Sequence, residues 1–345
     1  MRLQLVCVTS WRGIMSKNVY NNFFDIEIWE KVLPANKELL EDYLLELKQN
    51  QKSDGTIYQY KRDLMGLMVY IYRKLDNRNI LELSKRDFRS YSLYLNIECG
   101  LANASHNRRL SSLRSLLSFA EEEDDTYDYD VNAARKVKSL PKHATREIHY
   151  LTNEQILMLR DALIKRGDYQ KATLLMLAYD SAGRKNELSQ VEKYCFLDDA
   201  KNSTNKVIGK RRKIFRLVYF SGTKECAKKW LSVRGEDDID SLWAVNGKNI
   251  PSSMLYDWLM DMRDVLYEIS GDYIEFNVHS MRHACLQNFS DGTHYVLKEL
   301  GMTEGFPIEK LKLLANHTSI ETTAQYLRDN SIDELREMFG ITIDD

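Results

Sequence analysis

The chain has 345 residues, of which 43% are hydrophobic and 29% charged, a composition that can bury a sizeable core and is too apolar for a disordered protein. Its apolar runs, such as residues 174–179, are far shorter than the roughly 18–20 residues that a membrane-spanning helix needs, which excludes a helical membrane protein. Because a single core stops growing near roughly 250–300 residues, the length favours two domains.

Residues 1–35 form an N-terminal extension ahead of the first long predicted helix. The start, Met1–Val8, has one basic residue and a short apolar patch interrupted by Gln4, which is not the pattern of a secretory signal. We therefore expect the protein to stay in the cytoplasm. Met15 could also serve as the first residue, so we treat residues 1–14 as dispensable.

Residues 36–125 are predicted to form a helical domain of four helices. In residues 36–49 and 57–75 the apolar positions recur with the spacing of a core-facing helix side. Ser84 and Asp87 have the spacing of a capping box, which predicts that a third helix begins there. The fourth helix is predicted over about residues 104–123.

A linker is predicted over residues 126–149, which lack a sustained apolar period and contain Pro141. A second domain then spans residues 150–330, and a C-terminal tail helix spans residues 331–345. Four apolar residues give that tail one amphipathic stripe, namely Ile332, Leu335, Met338 and Phe339.

The second domain is predicted to be mixed in structure. Thr152 caps a helix that extends to about Arg166, and a further helix spans residues 169–180. Residues 206–220 predict a β-hairpin, because β-branched and aromatic residues flank a basic turn. With the rest mainly helical, the predicted fold class is mainly α with a small β-sheet (α+β).

Charge is segregated along the chain, although the net charge is only −2. Between Lys201 and Arg234 there are eleven Lys or Arg residues and one acid, Glu225, whereas acids cluster in residues 121–130 and 236–240. A nearly neutral protein with this distribution can present one basic face to a polyanion.

Four patterns in the second domain become informative together. They are Gly183-Arg184-Lys185-Asn186-Glu187-Leu188, the basic hairpin, His279-Ser280-Met281-Arg282-His283, and Leu314-Ala315-Asn316-His317 with Tyr326 nine residues after His317. Taken singly, each has an ordinary structural explanation, such as an ion pair or a packed histidine or tyrosine.

In this order, residues 150–330 resemble the tyrosine recombinases, also called the phage-integrase family. The run His317-Thr318-Ser319-Ile320-Glu321-Thr322-Thr323 is similar to the family's His-Ser-Ser-Ile-x-Thr-Thr. Residues 56–64 and 107–114 look like two helices of the family's core-binding domain. The resemblance implies a site-specific DNA recombinase that clamps DNA between a helical domain and a catalytic domain.

The two arginines suit a phosphodiester substrate. Arg184 and Arg282 can each present a planar, permanently charged fork to phosphate oxygens and offset the charge that builds on phosphorus during attack. Glu187, three residues after Arg184, would orient that arginine. His279 lies one helical turn before Arg282, and His279 and His317 could each donate to a phosphate oxygen or pass a proton. Thr318 and Glu321 have capping-box spacing, which would fix the helix that carries Tyr326.

Tyr326 is the predicted nucleophile. Its unperturbed pKa is near 10, so about one phenol in a thousand is ionised at pH 7 and the site must stabilise the phenolate. The resemblance implies a covalent 3′-phosphotyrosyl link and a 5′-hydroxyl leaving group, which needs a proton donor. Lys210 is the predicted general acid, and Lys213 is the alternative. Because the bond energy is stored in the protein linkage, the reaction needs neither ATP nor a metal, and we predict no cofactor.

Metal binding and nuclear localisation are competing interpretations. His279 and His283 are four residues apart, but Cys285 is the only further ligand nearby, at an unsuitable helical spacing. The five cysteines are scattered and form no CxxC pair, which supports neither a disulfide framework nor a zinc knuckle. The basic run at residues 210–213 could be a localisation signal, but predicted strands flank it.

Basic residues outside the catalytic set are predicted to contact phosphates or groove edges, with ordinary solvent-facing charge as the alternative. They are Lys61, Arg62, Arg108, Arg109 and Arg114 in the helical domain, and Arg211, Arg212 and Lys213 at the hairpin.

The chain departs from the family pattern at four places. Gly183 directly precedes Arg184, where the family has Gly-x-Arg, and Asn316 replaces the usual glycine before the second histidine. Arg211 and Arg212 stand in a turn that usually has glycine or asparagine. The interval from Arg282 to His317 is about a dozen residues longer than in compact members, so we expect residues 283–316 to hold an insertion that adds DNA or subunit contacts.

The expected partner is double-stranded DNA at recombination sites, bound by a homotetramer on two duplexes. The tail, residues 331–345, would pack either on a neighbouring protomer or on its own domain. A type IB topoisomerase and a catalytically silent DNA-binding protein are the alternative functions. Neither the target sequence nor the outcome (integration, excision, resolution or inversion) follows from the sequence.

Overall fold

The computed structural model describes residues 24–141 and 149–328, and the predicted tail helix at 331–345 lies outside them. The chain divides into two compact units, Met1–Arg146 and Glu147–Asp345. Within the described residues, no helix combines the length and apolar character needed to cross a bilayer.

The first unit is built from helices around one apolar core. The helices are α1 (Ile26–Lys31), α2 (Pro34–Gln49), α3 (Asp54–Lys74), α4 (Lys85–Leu93), α5 (Asn103–Glu122) and α6 (Asp124–Tyr127). The predicted capping box is confirmed, since Ser84 and Asp87 bond each other's backbone N–H at the start of α4. Helix α1, capped by Asp25, was not predicted, and it lies in the segment interpreted as an extension.

The predicted linker begins too early. Tyr129, Ala134 and Val137 are buried in the core of the first unit, and the Asn132 amide bonds the Arg114 carbonyl at 2.9 Å. These contacts tie residues 129–137 to α5. The segment has no helical or strand period that would mark it as packed, so its sequence does not reveal these contacts.

The second unit surrounds a buried central helix. Its helices are α7 (Asn153–Lys165), α8 (Tyr169–Ser181), α9 (Lys185–Leu188), α10 (Ser221–Arg234), α11 (Ser252–Ser270), α12 (Val278–Ser290), α13 (Tyr295–Glu299), α14 (Ile308–Leu314) and α15 (Ile320–Ala324). Thr152 caps α7 as predicted, with Gln155 completing a capping box. Helix α8 is buried from Ala172 to Ser181, which explains why its sequence is apolar on all sides.

The predicted hairpin is confirmed. Strand β1 (Ser203–Ile208) pairs antiparallel with β2 (Ile214–Val218), with Lys206 opposite Arg216. A second pair, β3 (Ala244–Val245) and β4 (Lys248–Asn249), was missed because strands of two residues show no period. Its turn, Asn246-Gly247, has both residues at positive φ, a hairpin signal that the sequence does carry.

The long interval between Arg282 and His317 packs into the core of the second unit. His294 is buried and stacks on Phe289, with ring centroids 3.9 Å apart. The Tyr295 hydroxyl donates to buried Asp180 at 2.8 Å. The backbone at Gly305 lies so close to Ser290 that a Cβ there would stand 1.8 Å from the Ser290 carbonyl oxygen. This segment therefore helps to build the core of the second unit, whether or not it also contacts DNA or a subunit.

Candidate active site

All six residues predicted to be catalytic line one cleft of the second unit, with a volume of about 870 Å³. These residues are Arg184, Lys210, His279, Arg282, His317 and Tyr326. Lys185, Arg211 and Lys213 add further positive charge, and none of the described residues that line the cleft is an aspartate or glutamate. Such a cleft suits a polyanionic ligand.

Arg184 stands at the N-terminus of α9 and is held by Glu187. The buried Glu187 carboxylate accepts the Arg184 backbone N–H at 2.8 Å and its guanidinium at 3.1 Å. The arginine side chain remains 29% exposed, so the rest of its fork faces the cleft. Glu187 therefore contacts both the backbone and the side chain of Arg184.

Arg282 is held by backbone carbonyls from two distant segments. Its guanidinium donates to the Ala182 carbonyl and, at 2.5 Å, to the Ala315 carbonyl. Burial, followed by the charge of Arg184, lowers the pKa of Arg282, but an arginine starts so high that it stays charged at neutral pH. The main chain thus fixes this charge in the cleft.

The departures from the family pattern have a local explanation. Ala182 and Asn316 adopt φ values of 50° and 53°, and Arg211 and Arg212 values of 60° and 57°. Glycine or asparagine is favoured in this left-handed region. The left-handed backbone that favours glycine or asparagine is therefore kept at these positions. Ala182, Arg211 and Arg212 adopt it although their side chains disfavour it.

Both ring nitrogens of His317 face protein groups in this structure. Its Nε2 lies 2.7 Å from Nη2 of Arg282 and its Nδ1 lies 3.0 Å from Oγ1 of Thr323. Both ring nitrogens therefore have protein partners. Burial, then the charges of Arg282 and Arg184, lower the pKa of His317 to about 3, so the ring is neutral and supports Arg282.

Tyr326 follows α15 and lies over Arg282. The Arg282 Cζ atom is 5.1 Å from the centroid of the tyrosine ring, and the rings of His279 and His317 are each 5.1 Å away. His279 as a whole residue is exposed, but its ring lies within the cleft. This partial burial of the ring, then the charges of His283 and Arg282, lower the pKa of His279 to about 4. A guanidinium at this distance attracts the electron-rich ring.

The helix that precedes Tyr326 begins one residue later than predicted. The Ser319 hydroxyl accepts the Thr322 backbone N–H at 3.3 Å, so Ser319 is the N-cap in place of Thr318. The predicted partner Glu321 therefore lies one residue too early to complete a capping box with Ser319. The sequence offers two adjacent hydroxyls, and only the backbone geometry decides between them.

The hairpin brings two lysines to the cleft. The Lys213 Nζ donates to the Asn316 carbonyl at 3.1 Å, directly before His317 in the chain. Lys210 lies at the exposed tip of the hairpin and also lines the cleft. The structure thus brings both candidates for the general acid to the same site.

The alternative metal site has no matching geometry. His283 turns its Nδ1 to the Tyr326 carbonyl at 3.0 Å, and Cys285 is buried with its Sγ 3.9 Å from the Asp180 carbonyl. Within residues 24–141 and 149–328, no three His, Cys, Asp or Glu side chains form a cluster that could hold a metal ion.

The basic residues predicted to contact DNA in the helical unit divide into two groups. Arg108 and Arg109 pair with buried Asp63, and Arg114 donates to the Val137 carbonyl. These three therefore also have partners within the helical unit. Arg62 lies over the Tyr58 ring at 5.5 Å, and Lys61 is exposed.

Comparison with known proteins gives two family matches. The profile described as "Phage integrase family" matches residues 149–331, and the profile "Phage integrase, N-terminal SAM-like domain" matches residues 40–124. The "SPbeta prophage-derived recombinase-like protein YomM" of Bacillus subtilis (strain 168) is 26% identical over 319 residues, which are 88% of this chain and 90% of that protein.

Solved structures show the same fold. The Tn1549 transposon integrase (aa 82–397), in complex with circular intermediate DNA, has a TM-score of 0.64 at 15% identity, covering 87% of this chain and 98% of that one. A lambda integrase dimer bound to a COC' core site has a TM-score of 0.60 at 16% identity, covering 86% and 77%. The XerH recombinase bound to palindromic difH has a TM-score of 0.62 at 14% identity, covering 83% and 80%.

Proposed function

The chain belongs to the phage integrase family, the tyrosine recombinases, and we propose that the cleft around Tyr326 is where it cleaves and rejoins DNA. The protein is accordingly a site-specific recombinase, and a covalent protein–DNA intermediate is general for its family. The observation that carries the proposal is the tyrosine ring over the Arg282 guanidinium, 5.1 Å away, in a cleft lined by cations.

The two arginines bind the scissile phosphate. Arg184 presents the part of its fork that Glu187 leaves exposed, and Arg282 is held in place by the carbonyls of Ala182 and Ala315. Their charges offset the negative charge that develops on the phosphoryl oxygens. Because His317 accepts from Arg282, it positions that arginine and leaves His279, on the exposed side, to contact the phosphate.

Cleavage then follows from the placement of Tyr326. The phenol loses its proton to solvent, its oxygen attacks phosphorus, and the bond to the 5′ oxygen breaks. The new 3′-phosphotyrosyl bond keeps the energy of the phosphodiester. Lys210 gives a proton to the leaving 5′ oxygen, with Lys213 as the alternative donor. A 5′-hydroxyl from a second strand attacks the phosphotyrosyl bond in the reverse sense, so rejoining consumes no nucleotide.

The assembly is proposed to be a homotetramer on two DNA duplexes. The tail, residues 331–345, would exchange between protomers. Lys61 and Arg62 of the helical unit, with Arg108 through its partly exposed side, would contact DNA outside the cleft. Arg211 and Arg212 at the hairpin would do the same. The Bacillus subtilis relative is described as prophage-derived, which supports a role in moving a mobile element within the cytoplasm, where the nucleoid lies.

A covalent-capture experiment tests this function. The full chain is incubated with fragmented DNA from its source and denatured with detergent, and the DNA that stays attached is sequenced. We expect adducts at a recurrent sequence that are lost in Tyr326→Phe and kept in Tyr273→Phe, which changes an exposed tyrosine of the same unit. Adducts at scattered sequences would favour a topoisomerase. DNA retention without any adduct would favour a silent DNA-binding protein.

A further inference from the structure

The backbone that carries Tyr326 is tied to helix α12 at two points. His283 Nδ1 lies 3.0 Å from the Tyr326 carbonyl oxygen, and the Gln287 side-chain oxygen accepts the Arg328 backbone N–H at 2.7 Å. His283 and Gln287 are four residues apart, so they lie on one face of the helix that also carries Arg282. The ties hold the backbone on both sides of Leu327, directly after Tyr326.

The donor and the acceptor of each tie can be assigned. A carbonyl oxygen can only accept, so His283 must carry a proton on Nδ1. Burial lowers the pKa of His283, which keeps the ring neutral, and Tyr150 packs edge-on against it at 5.7 Å. The Gln287 amide nitrogen donates to Asp291 at 2.7 Å, which orients its oxygen towards Arg328.

Helix α15 alone holds Tyr326 weakly. It has five residues and ends at Ala324, two residues before the tyrosine. A helix this short is marginal without packing. After Ala324, the backbone N–H groups of Tyr326 and Leu327 reach back to the carbonyls of Thr323 and Ala324, and no helical turn follows in the described residues.

We propose that His283 and Gln287 are positioning residues that hold Tyr326 over Arg282, a role that rests on the proposed function of the cleft. Both hold the backbone next to the nucleophile, and the His283 ring also packs against the Tyr326 ring, with centroids 4.6 Å apart. Their effect is on the placement of the nucleophile, so they raise the rate of covalent attack and leave the binding of the scissile phosphate to the arginines.

The first measurement is the single-turnover rate of adduct formation together with the DNA dissociation constant. We expect His283→Leu and Gln287→Leu to slow the adduct about 10- to 100-fold, the size of effect that small misplacement of a reacting group produces, with DNA affinity unchanged. His283→Asn, whose amide can donate from a similar position, should recover part of the rate. Gln170→Leu is the control, because Gln170 bonds a carbonyl of the same unit at Ala244.

The second measurement separates positioning from damage to the cleft. In a Tyr326→Phe background, hydrogen peroxide is supplied as the nucleophile; its hydroperoxide ion attacks phosphorus and expels the same 5′-hydroxyl. Substitution of His283 or Gln287 should change this cleavage less than about twofold, whereas Arg282→Ala should abolish it. A change of about twofold is far smaller than the rate loss expected when a reacting group is misplaced.

Different outcomes would overturn the positioning role of His283 and Gln287 and the proposed cleavage of DNA in the cleft. If the leucine variants slow peroxide cleavage as much as tyrosine attack, or leave tyrosine attack unchanged, the positioning role is overturned. If the unmodified chain forms no adduct and Tyr326→Phe supports no peroxide cleavage, the proposed function fails instead.

Discussion

Nη2 of Arg282 lies 2.7 Å from Nε2 of His317. An arginine has no acceptor, so Nε2 must be the acceptor and the proton of the ring must sit on Nδ1. That proton points to the Thr323 hydroxyl, 3.0 Å away. The pair therefore consists of a charged arginine and a neutral histidine, and the histidine helps to hold the arginine in the cleft.

The first prediction concerns pH. The pKa of His317 is lowered to about 3 and that of His279 to about 4, so both rings are neutral between about pH 5 and pH 8, where an unperturbed histidine changes charge. We expect the single-turnover rate of adduct formation to show no inflection from either ring in that range. A step near pH 6.5 that disappears in His317→Asn would contradict this.

The second prediction concerns the fork of Arg282. Arg282→Lys keeps one positive charge, but its single nitrogen cannot take the place of both Nη1, which donates to Ala182, and Nη2, which faces Ala315 and His317. We expect adduct formation to fall by about 100-fold or more, as for the loss of a preorganised donor, while DNA is still bound.

Arg234→Lys is the matched control for that substitution. The Arg234 side chain is only 3% exposed and pairs with Asp237 in the same unit, but it does not line the cleft. Its replacement should lower stability without changing the cleavage rate of the folded protein. Equal rate losses in the two variants would show that Arg282 has no special role.

Elements with a local signal could be predicted from the sequence. The capping boxes at Ser84 and Thr152 and the β-branched arms of the hairpin depend on residues within a few positions of each other. The order of Arg184, Arg282, His317 and Tyr326 likewise identified the residues that share the cleft.

Contacts between distant segments could not be predicted. The carbonyl partners of Arg282 lie 100 and 33 residues away in the chain, and Asp63 meets Arg108 across 45 residues. No periodicity reports such pairings. For that reason the sequence predicts DNA contacts at Arg108 and Arg109 but does not reveal that both pair with buried Asp63.

The third prediction separates the two lysines. In a DNA substrate with sulfur in place of the scissile 5′ oxygen, the leaving strand end departs as a thiolate. It needs no proton, because a thiol is far more acidic than an alcohol. We expect Lys210→Ala to lose about 100-fold or more on normal DNA and little on the sulfur substrate. Lys213→Ala removes the bond to the Asn316 carbonyl. It should slow adduct formation equally on the two substrates, and by less than Lys210→Ala slows it on normal DNA. The reverse pattern would assign the general acid to Lys213.

The fourth prediction contrasts two residues of the helical unit. Asp63→Ala removes the buried carboxylate that Arg108 and Arg109 share, which should lower the free energy of unfolding by about 3 kcal/mol or more. Lys61→Ala changes an exposed residue, so we expect no change in stability but weaker DNA binding, with a salt slope reduced by about one. Urea titration and binding at several salt concentrations measure the two effects. A stable Asp63→Ala chain with weakened DNA binding would contradict the structural role.

The last prediction concerns the segment between Arg282 and His317. The Tyr295 hydroxyl accepts the Gly222 backbone N–H at 3.1 Å and donates to Asp180, whose pKa burial raises to about 6. Tyr295→Phe leaves both groups without that partner inside the core, so the free energy of unfolding should fall by about 1–3 kcal/mol. Adduct formation by the folded protein should not change.

Urea titration of Tyr295→Phe beside Tyr267→Phe provides the measurement, because Tyr267 is an exposed tyrosine of the same unit. Only the first variant should lose stability. If Tyr295→Phe instead weakens DNA binding at unchanged stability, the segment contacts DNA as the sequence first indicated, and its burial against α8 would not be its main role.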